Sequence, residues 1–219
     1  PERAMLVLVQ AYHALVAVLE GADIHRDIKP DNFMVSKTGL VKLMDFGIAR
    51  GHGSEGLTTS VFCTPAYAAP EVLDNQPPSP ATDRWAFAVT AFQCLTGQLP
   101  FQAASVSAVL YQIAHEPPQF PPDTPTALRS VFLRAFQKQP EERHPDLHSF
   151  MAELLEALPL EPEVRDRGRA LLEQPEAPNL AGTVALALKG TLQGRPRRIR
   201  WPLGVGAAFL TVVLGWGFG

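Results

Sequence analysis

The run 25–32 concentrates more reactive side chains than any other part of the chain, and it reads HRDIKPDN between two apolar stretches. Pro30 disfavours a helix here, so we expect a loop. Asp27 offers a proton acceptor, Asn32 offers an amide oxygen that can bind a metal ion, and Lys29 lies between them. A base, a metal ligand and a cation on one short loop suit the transfer of a charged phosphoryl group.

A second polar site follows two short apolar stretches, 33–35 and 40–43, which read as strands joined by a turn. We expect them to form a hairpin that brings Asn32 and Asp45 close together at its open end. Two oxygen ligands suit magnesium, which takes its other ligands from phosphate and water. Taken alone, the tripeptide DFG that begins at Asp45 could equally be an ordinary turn.

Together, the two sites resemble the H-R-D-x-x-x-x-N catalytic loop and the D-F-G metal site of protein kinases. The resemblance implies that Asp27 orients and deprotonates a substrate hydroxyl, and that Lys29 contacts ATP and neutralises the transferring phosphoryl group. It implies that Asn32 and Asp45 bind magnesium or manganese. Residues with an implied structural role in these two motifs are His25, Arg26, Phe46 and Gly47.

Segments further along the chain resemble other parts of the same family. The segment that begins at Thr64 reads TPAYAAPE, similar to the end of a kinase activation segment. The resemblance implies that Thr64 contacts the catalytic aspartate and the loop lysine, as is typical of Ser/Thr kinases. It also implies that Glu71 pairs with Arg143 and that Asp83 holds the backbone of the catalytic loop. Cys63 departs from the family, which usually has glycine before the Thr-Pro.

The segment 48–62 is rich in Gly, Ser and Thr, which predicts a mobile loop. Thr58, Thr59 and Ser60 are candidate phosphorylation sites, because Arg26 beside the catalytic aspartate could pair with a phosphate there. An exposed polar loop without a switching role is the alternative.

Apolar residues recur at helical spacing in five segments, and these predict helices over 4–19, 83–96, 106–115, 127–137 and 150–158. The second of them is apolar on nearly every face and must lie in a large core. His13 is interpreted as a packed or partly exposed helix residue rather than a catalytic one. His144 and His148 have the i, i+4 spacing of metal ligands but no third ligand nearby, so a metal site is disfavoured.

The overall composition excludes some partners and indicates a compartment. The 219 residues contain 19 Lys and Arg against 22 Asp and Glu, a net charge of -3. This balance lacks the positive field of a nucleic-acid binder, so no nucleic-acid partner is expected. Cys63 and Cys94 stand far apart without metal-ligand spacing, which favours free thiols in a reducing compartment.

The last part of the chain changes character. Residues 159–200 are rich in Pro, Glu, Arg and Gly and are interpreted as a linker. Residues 201–219 carry no charge and, as a helix, would span about 28 Å of a roughly 30 Å hydrocarbon core. Arginines at 195–200 place the preceding part in the cytoplasm. A buried core helix is the alternative interpretation of the apolar run.

These observations predict a mostly α fold: residues 1–158 as the large lobe of a kinase similar to the bacterial membrane-anchored (Hanks-type) Ser/Thr kinases, with a small β-hairpin at the catalytic loop. A juxtamembrane linker, 159–200, and one transmembrane helix, 201–219, would follow. Upstream of Asp27 there is no lysine and only one glycine, so the small lobe with its glycine-rich loop and ATP-orienting lysine is expected outside this sequence. The expected partners are ATP, protein substrates and the membrane; a homodimer is left open.

Two functions of different classes are consistent with this sequence. One is an active protein kinase, of which residues 1–219 alone would be inactive because the small lobe is missing. The other is a non-catalytic pseudokinase that keeps the large lobe as a binding scaffold. The presence of Asp27, Lys29, Asn32 and Asp45 favours the kinase, since a scaffold does not need all four.

Overall fold

Helices dominate the computed structural model, which describes residues 2–20, 24–36, 39–44 and 65–174. Within these ranges there are seven α-helices, three short 3-10 turns and one two-stranded hairpin. The helices are α1 Glu2–Glu20, α2 Pro70–Leu73, α3 Pro80–Thr96, α4 Val106–His115, α5 Thr126–Ala135, α6 Leu147–Ala157 and α7 Pro162–Leu172. The strands are β1 Phe33–Val35 and β2 Val41–Leu43, and the 3-10 turns are Pro30–Asn32, Pro65–Tyr67 and Pro140–Glu142.

The predicted mostly helical fold is confirmed. The five helices expected from apolar spacing are present as α1 and α3 to α6, with each end within three residues of its predicted position. The predicted hairpin is present as β1 and β2, which pair antiparallel with Phe33 opposite Leu43 and Val35 opposite Val41. Its turn passes through Gly39, whose φ of 85° suits a residue without a side chain.

Helix α3 forms the centre of the core. Its N-terminus is closed by a capping box between Ser79 and Thr82, and its C-terminus by Gly97 in the left-handed conformation. Trp85 and Phe92 on this helix are fully buried. Aromatic rings from the loop after α3 and from α5 pack around them and fill the core beside this helix.

Helix α1 packs along β2, α6 and α7 and leads towards the 25–32 loop. Among the described residues, α1 is the one helix whose length and apolar composition would allow it to cross a membrane. Just over half of its apolar stretch is buried inside the protein, with Met5, Leu8 and Leu15 in the core. Core helices of soluble proteins have the same features.

The structure differs from the sequence interpretation at the start of the expected linker. Residues 162–172 form α7, and Leu171 and Leu172 at its end are buried against the body. Gly168 lies so close to Leu155 of α6 that a Cβ atom there would stand 2.7 Å from a leucine methyl group. Arginines and acidic residues on the exposed face of α7 give this segment a polar composition, which hides its narrow apolar face. Residues 175–200 and the apolar run 201–219 lie outside the described residues.

Candidate active site

The 25–32 loop forms a compact polar cluster directly before β1. The Lys29 ammonium donates to both carboxylate oxygens of Asp27, at 2.8 and 3.1 Å. Both side chains are partly accessible, at 20% for Lys29 and 25% for Asp27. The sequence prediction placed a base and a cation on this loop, and the structure brings them into contact at the surface.

Asn32 is buried beside the same carboxylate. Its Nδ2 atom donates to the Asp27 Oδ2 atom at 3.0 Å and to the Asp27 backbone carbonyl at 2.5 Å. Because the nitrogen is committed to Asp27, the orientation of the amide is fixed and its oxygen lies on the opposite branch. The Met44 backbone N–H donates to the Asn32 carbonyl at 2.8 Å, so the end of β2 lies next to Asn32, as expected of a hairpin.

Asp83, in the first turn of α3, holds the backbone of this loop. Its two carboxylate oxygens accept hydrogen bonds from the backbone N–H groups of His25, at 2.7 Å, and Arg26, at 2.9 Å. Burial raises the pKa of Asp83, while these two bonds oppose the shift. Arg26 has a φ of 69°, an uncommon value for a residue with a side chain, and the bond to Asp83 helps to hold it there.

His25 connects the loop to the hairpin. Its Nε2 atom lies 3.1 Å from the backbone carbonyl oxygen of Met44, and its side chain is buried. The residue implied to be structural by its motif therefore contacts the chain immediately before Asp45.

The Glu71–Arg143 pair is buried and bidentate. Arg143 Nη1 and Nη2 donate to the two carboxylate oxygens of Glu71 at 2.9 and 2.6 Å. Arg143 is 4% exposed and Glu71 is 5% exposed. Arg143 also donates to the backbone carbonyls of Gln137 and Lys138, and its guanidinium lies 4.8 Å from the centre of the Trp85 ring. The pair fastens the end of the TPAYAAPE segment to the core.

Several predicted site residues lie outside the described residues, and their roles stay predictions. They are the metal ligand Asp45 with its neighbours Phe46 and Gly47, the candidate phosphorylation sites Thr58, Thr59 and Ser60, the substituted position Cys63, and Thr64.

His13 and His144 are buried, Cys94 is partly buried, and His148 is exposed. His13 is buried and its Nε2 atom lies 2.7 Å from the Leu171 carbonyl oxygen, while His144 and His148 contact Glu153 and Tyr12. No cluster of three or more potential metal-ligating His, Cys, Asp or Glu residues occurs in the part of the chain that the structure describes. Burial raises the pKa of Cys94 to about 11, so its thiol is unreactive at neutral pH.

Sequence reasoning missed the anchoring role of Tyr67. Its hydroxyl donates to the Gln93 side-chain oxygen on α3 at 2.5 Å, and burial raises the pKa of Tyr67 well above its ordinary value. This bond ties the middle of the TPAYAAPE segment to the core helix. The sequence offers one signal for this role, because Tyr67 is the only aromatic residue in the TPAYAAPE segment and its neighbours are small.

Comparison with known proteins gives consistent matches. The family described as protein kinase domain matches residues 2–162. The chain is 32% identical over 225 aligned positions to the serine/threonine-protein kinases PknA of Corynebacterium glutamicum, covering 97% of this chain and 48% of that protein. It is 34% identical over 196 positions to the serine/threonine-protein kinase PknB of Mycobacterium tuberculosis, covering 83% of this chain and 31% of that protein. The chain thus spans less than half the length of these relatives.

Proposed function

Because the chain belongs to the protein kinase family, we propose that it carries the large lobe of a serine/threonine kinase that transfers the γ-phosphoryl group of ATP to protein hydroxyl groups. The observation that carries this proposal is the cluster of Asp27, Lys29 and Asn32, with Asp83 holding its backbone. The similarity to proteins named as serine/threonine kinases supports the choice of hydroxyl substrate.

Asp27 is proposed as the base. Lys29 and Asn32 donate to its carboxylate and so fix its orientation towards the solvent-accessible side of the loop. A serine or threonine hydroxyl within hydrogen-bond reach of Asp27 would lose its proton to the carboxylate as its oxygen attacks the γ-phosphorus of ATP. The bond between that phosphorus and the β-phosphate oxygen would break, and ADP would leave. Lys29 then offsets negative charge on the transferring group, and Thr64 is proposed to contact both residues.

The residues present fit a magnesium or manganese ion. The Asn32 nitrogen is occupied by Asp27, so its amide oxygen is the atom left to serve as a ligand, and amide and carboxylate oxygens are the ligands that magnesium prefers. We propose Asn32 and Asp45 as the protein ligands, with Phe46 and Gly47 shaping the turn after Asp45. When bound, the metal would offset the negative charge of the ATP phosphates.

Phosphorylation within 58–60 is proposed to activate the enzyme. Arg26, exposed beside Asp27, is the cation that would receive the phosphate. An anionic partner for Arg26 would favour one arrangement of the loop.

The test of the proposed reaction is Asp27→Asn in the complete protein, assayed by transfer of radiolabelled phosphate from ATP to protein substrates. Asparagine keeps the shape of the side chain but cannot accept the proton, so we expect transfer to fall by about 10² to 10⁴-fold. Asp31→Asn is the matched control, because Asp31 is an exposed carboxylate on the same loop. Equal activity of both variants would refute Asp27 as base, and an inactive wild type that still binds ATP would favour the scaffold.

We further propose that residues 201–219 anchor the protein in a membrane, with the kinase part in the cytoplasm. Nineteen uncharged residues after an arginine cluster support this proposal. A fusion carrying residues 175–219 should fractionate with membranes and resist carbonate extraction. A fusion ending at residue 194 should be soluble. Leu210→Arg places a charge in the middle of the run and should weaken insertion; soluble recovery of all three fusions would refute the anchor.

A further inference from the structure

Gln10 is a buried amide on the interior side of α1. It is 4% exposed and lies among apolar neighbours that include Val9 and Tyr12. Burying an amide destabilises the fold unless the amide forms hydrogen bonds, so Gln10 is expected to have hydrogen-bond partners inside the protein.

The partners of Gln10 are backbone groups of the hairpin. Its Nε2 atom donates to the Gly39 carbonyl at 3.0 Å, and its Oε1 atom accepts from the Val41 N–H at 3.1 Å. The nitrogen also lies 3.5 Å from the Leu6 carbonyl of its own helix. One side chain therefore bridges both a carbonyl and an N–H of the hairpin, 29 and 31 residues away.

The hairpin presents these two groups on its outer edge. The Leu40 carbonyl accepts from the Ser36 N–H at 2.8 Å, and the Met44 N–H donates to the Asn32 carbonyl at 2.8 Å, so even-numbered residues of this segment pair with the first strand. Alternate residues of a strand point their backbone groups to opposite sides. The Val41 N–H consequently points away from β1. Gly39 lies in the turn, where its N–H donates to the Ser36 carbonyl at 2.9 Å and its own carbonyl accepts from Gln10. The Gln10 carboxamide thus binds the Val41 edge of the hairpin where a third strand would lie.

This contact lies at the opposite end of the hairpin from Asn32. Val41 and Met44 are about 10 Å apart along an extended strand, so a tilt of about 10° at the turn would displace the open end by roughly 2 Å. Misplacement of a reacting or ligating group by about 1 Å can reduce an enzymatic rate by about 10²-fold. His25 holds the open end at Met44, and Gln10 holds the turn end.

We propose that Gln10 is a positioning residue for the metal-binding end of the hairpin. Its two hydrogen bonds fix the angle between α1 and the hairpin, and through it the place of Asn32 and of the chain entering Asp45. This inference rests on the proposed role of Asn32 and Asp45 as metal ligands.

The experiment compares Gln10→Met with Thr90→Val in the complete protein. Methionine keeps the length and removes both bonds to the hairpin. Thr90 is a buried polar residue on α3 whose hydroxyl donates to the Ala86 carbonyl of its own helix, so Thr90→Val removes one buried hydrogen bond that does not involve the hairpin. Three quantities are measured: amide hydrogen exchange of residues 33–43, binding of manganese ions followed by paramagnetic resonance, and the magnesium dependence of phosphotransfer.

We expect Gln10→Met to speed exchange in 33–43 by at least about tenfold, because the Val41 amide loses its acceptor. We also expect manganese binding to weaken and the magnesium concentration for half-maximal activity to rise by about tenfold. The KM for the protein substrate should stay unchanged. Thr90→Val should change none of these quantities.

The proposal would be overturned if Gln10→Met kept the hydrogen-exchange protection of the hairpin and the metal dependence of the wild type. It would also be overturned if Thr90→Val showed the faster exchange and weaker metal binding expected of Gln10→Met. If Gln10→Met does not fold, Gln10→Asn, which keeps the amide on a shorter side chain, is judged by the same criteria with smaller expected changes. Exchange and manganese binding do not require phosphotransfer. An inactive wild type would therefore refute the proposed function while these two measurements still decide the role of Gln10.

Discussion

Replacing Glu71 by glutamine tests how much the buried ion pair with Arg143 contributes to the free energy of unfolding. The variant keeps the size of the side chain but removes the negative charge that faces Arg143 inside the protein. Removing one partner of a buried pair costs about 3 to 5 kcal/mol, because the remaining charge stays buried without compensation. Arg143 retains bonds to the carbonyls of Gln137, Lys138 and Ala81, so we expect the lower end, about 3 kcal/mol.

The assay is equilibrium unfolding in urea followed by tryptophan fluorescence. Trp85 is a suitable reporter, since it is fully buried and lies against the Arg143 guanidinium. The midpoint should fall while the dependence of the free energy of unfolding on urea stays constant, because the surface exposed on unfolding is unchanged.

Glu156→Gln is the matched control. Glu156 accepts two hydrogen bonds from Arg169, both 2.7 Å long, so its geometry resembles that of the Glu71 pair. The difference is exposure, because about half of each of these two side chains is accessible to water. Solvent screening should leave Glu156→Gln with only a small effect. Equal loss of stability in Glu71→Gln and Glu156→Gln would refute this reasoning, which holds that burial rather than geometry determines how much stability is lost when an ion pair is broken.

Two further variants address Asp83, which binds the backbone of the 25–32 loop, and the half-buried Lys138. Asp83→Asn replaces one of two acceptors by an NH₂ group that faces a backbone N–H, and should cost about 2 to 3 kcal/mol in urea unfolding together with most of the phosphotransfer rate; an unchanged rate would contradict the anchoring role. Burial and nearby Arg143 lower the pKa of Lys138 to about 8. Above pH 8, the unfolded chain keeps a proton that the folded protein has lost, so between pH 8 and 10 the wild type should gain about 1 to 2 kcal/mol relative to Lys138→Met. A flat or falling difference in unfolding free energy over that range would contradict this sign.

Much of the fold could be predicted because its helices carry strong apolar patterns. The bounds of α4, for example, follow from apolar spacing alone, and the hairpin follows from two short apolar strands around a glycine turn. Helix α7 could not be predicted in this way. Its buried face consists of a few residues near its end, and the packing of Gly168 against Leu155 is a tertiary contact that no local pattern reveals.

The candidate active site likewise has contacts that could be predicted from the sequence and contacts that could not. The residue types of the 25–32 loop led to the proposed chemistry, which stays a proposal. The family resemblance supplied Asp83, Glu71 and Arg143, and the structure places these residues in contact with their expected partners. The contacts of Gln10 were not predicted. A single glutamine on an apolar helix face does not state which backbone groups, some thirty residues away, it will bind.

The first turn of α3 is where the two anchors of the lobe meet. Asp83 in this turn binds the backbone of the 25–32 loop, and the Ala81 carbonyl in the same turn accepts a hydrogen bond from Arg143 at 3.4 Å. Arg143 is in turn held by Glu71. The capping box, Arg143 and the 25–32 loop thus all contact the start of α3. Shared contacts of this kind are where mutations in the ion pair and in the loop are expected to be non-additive.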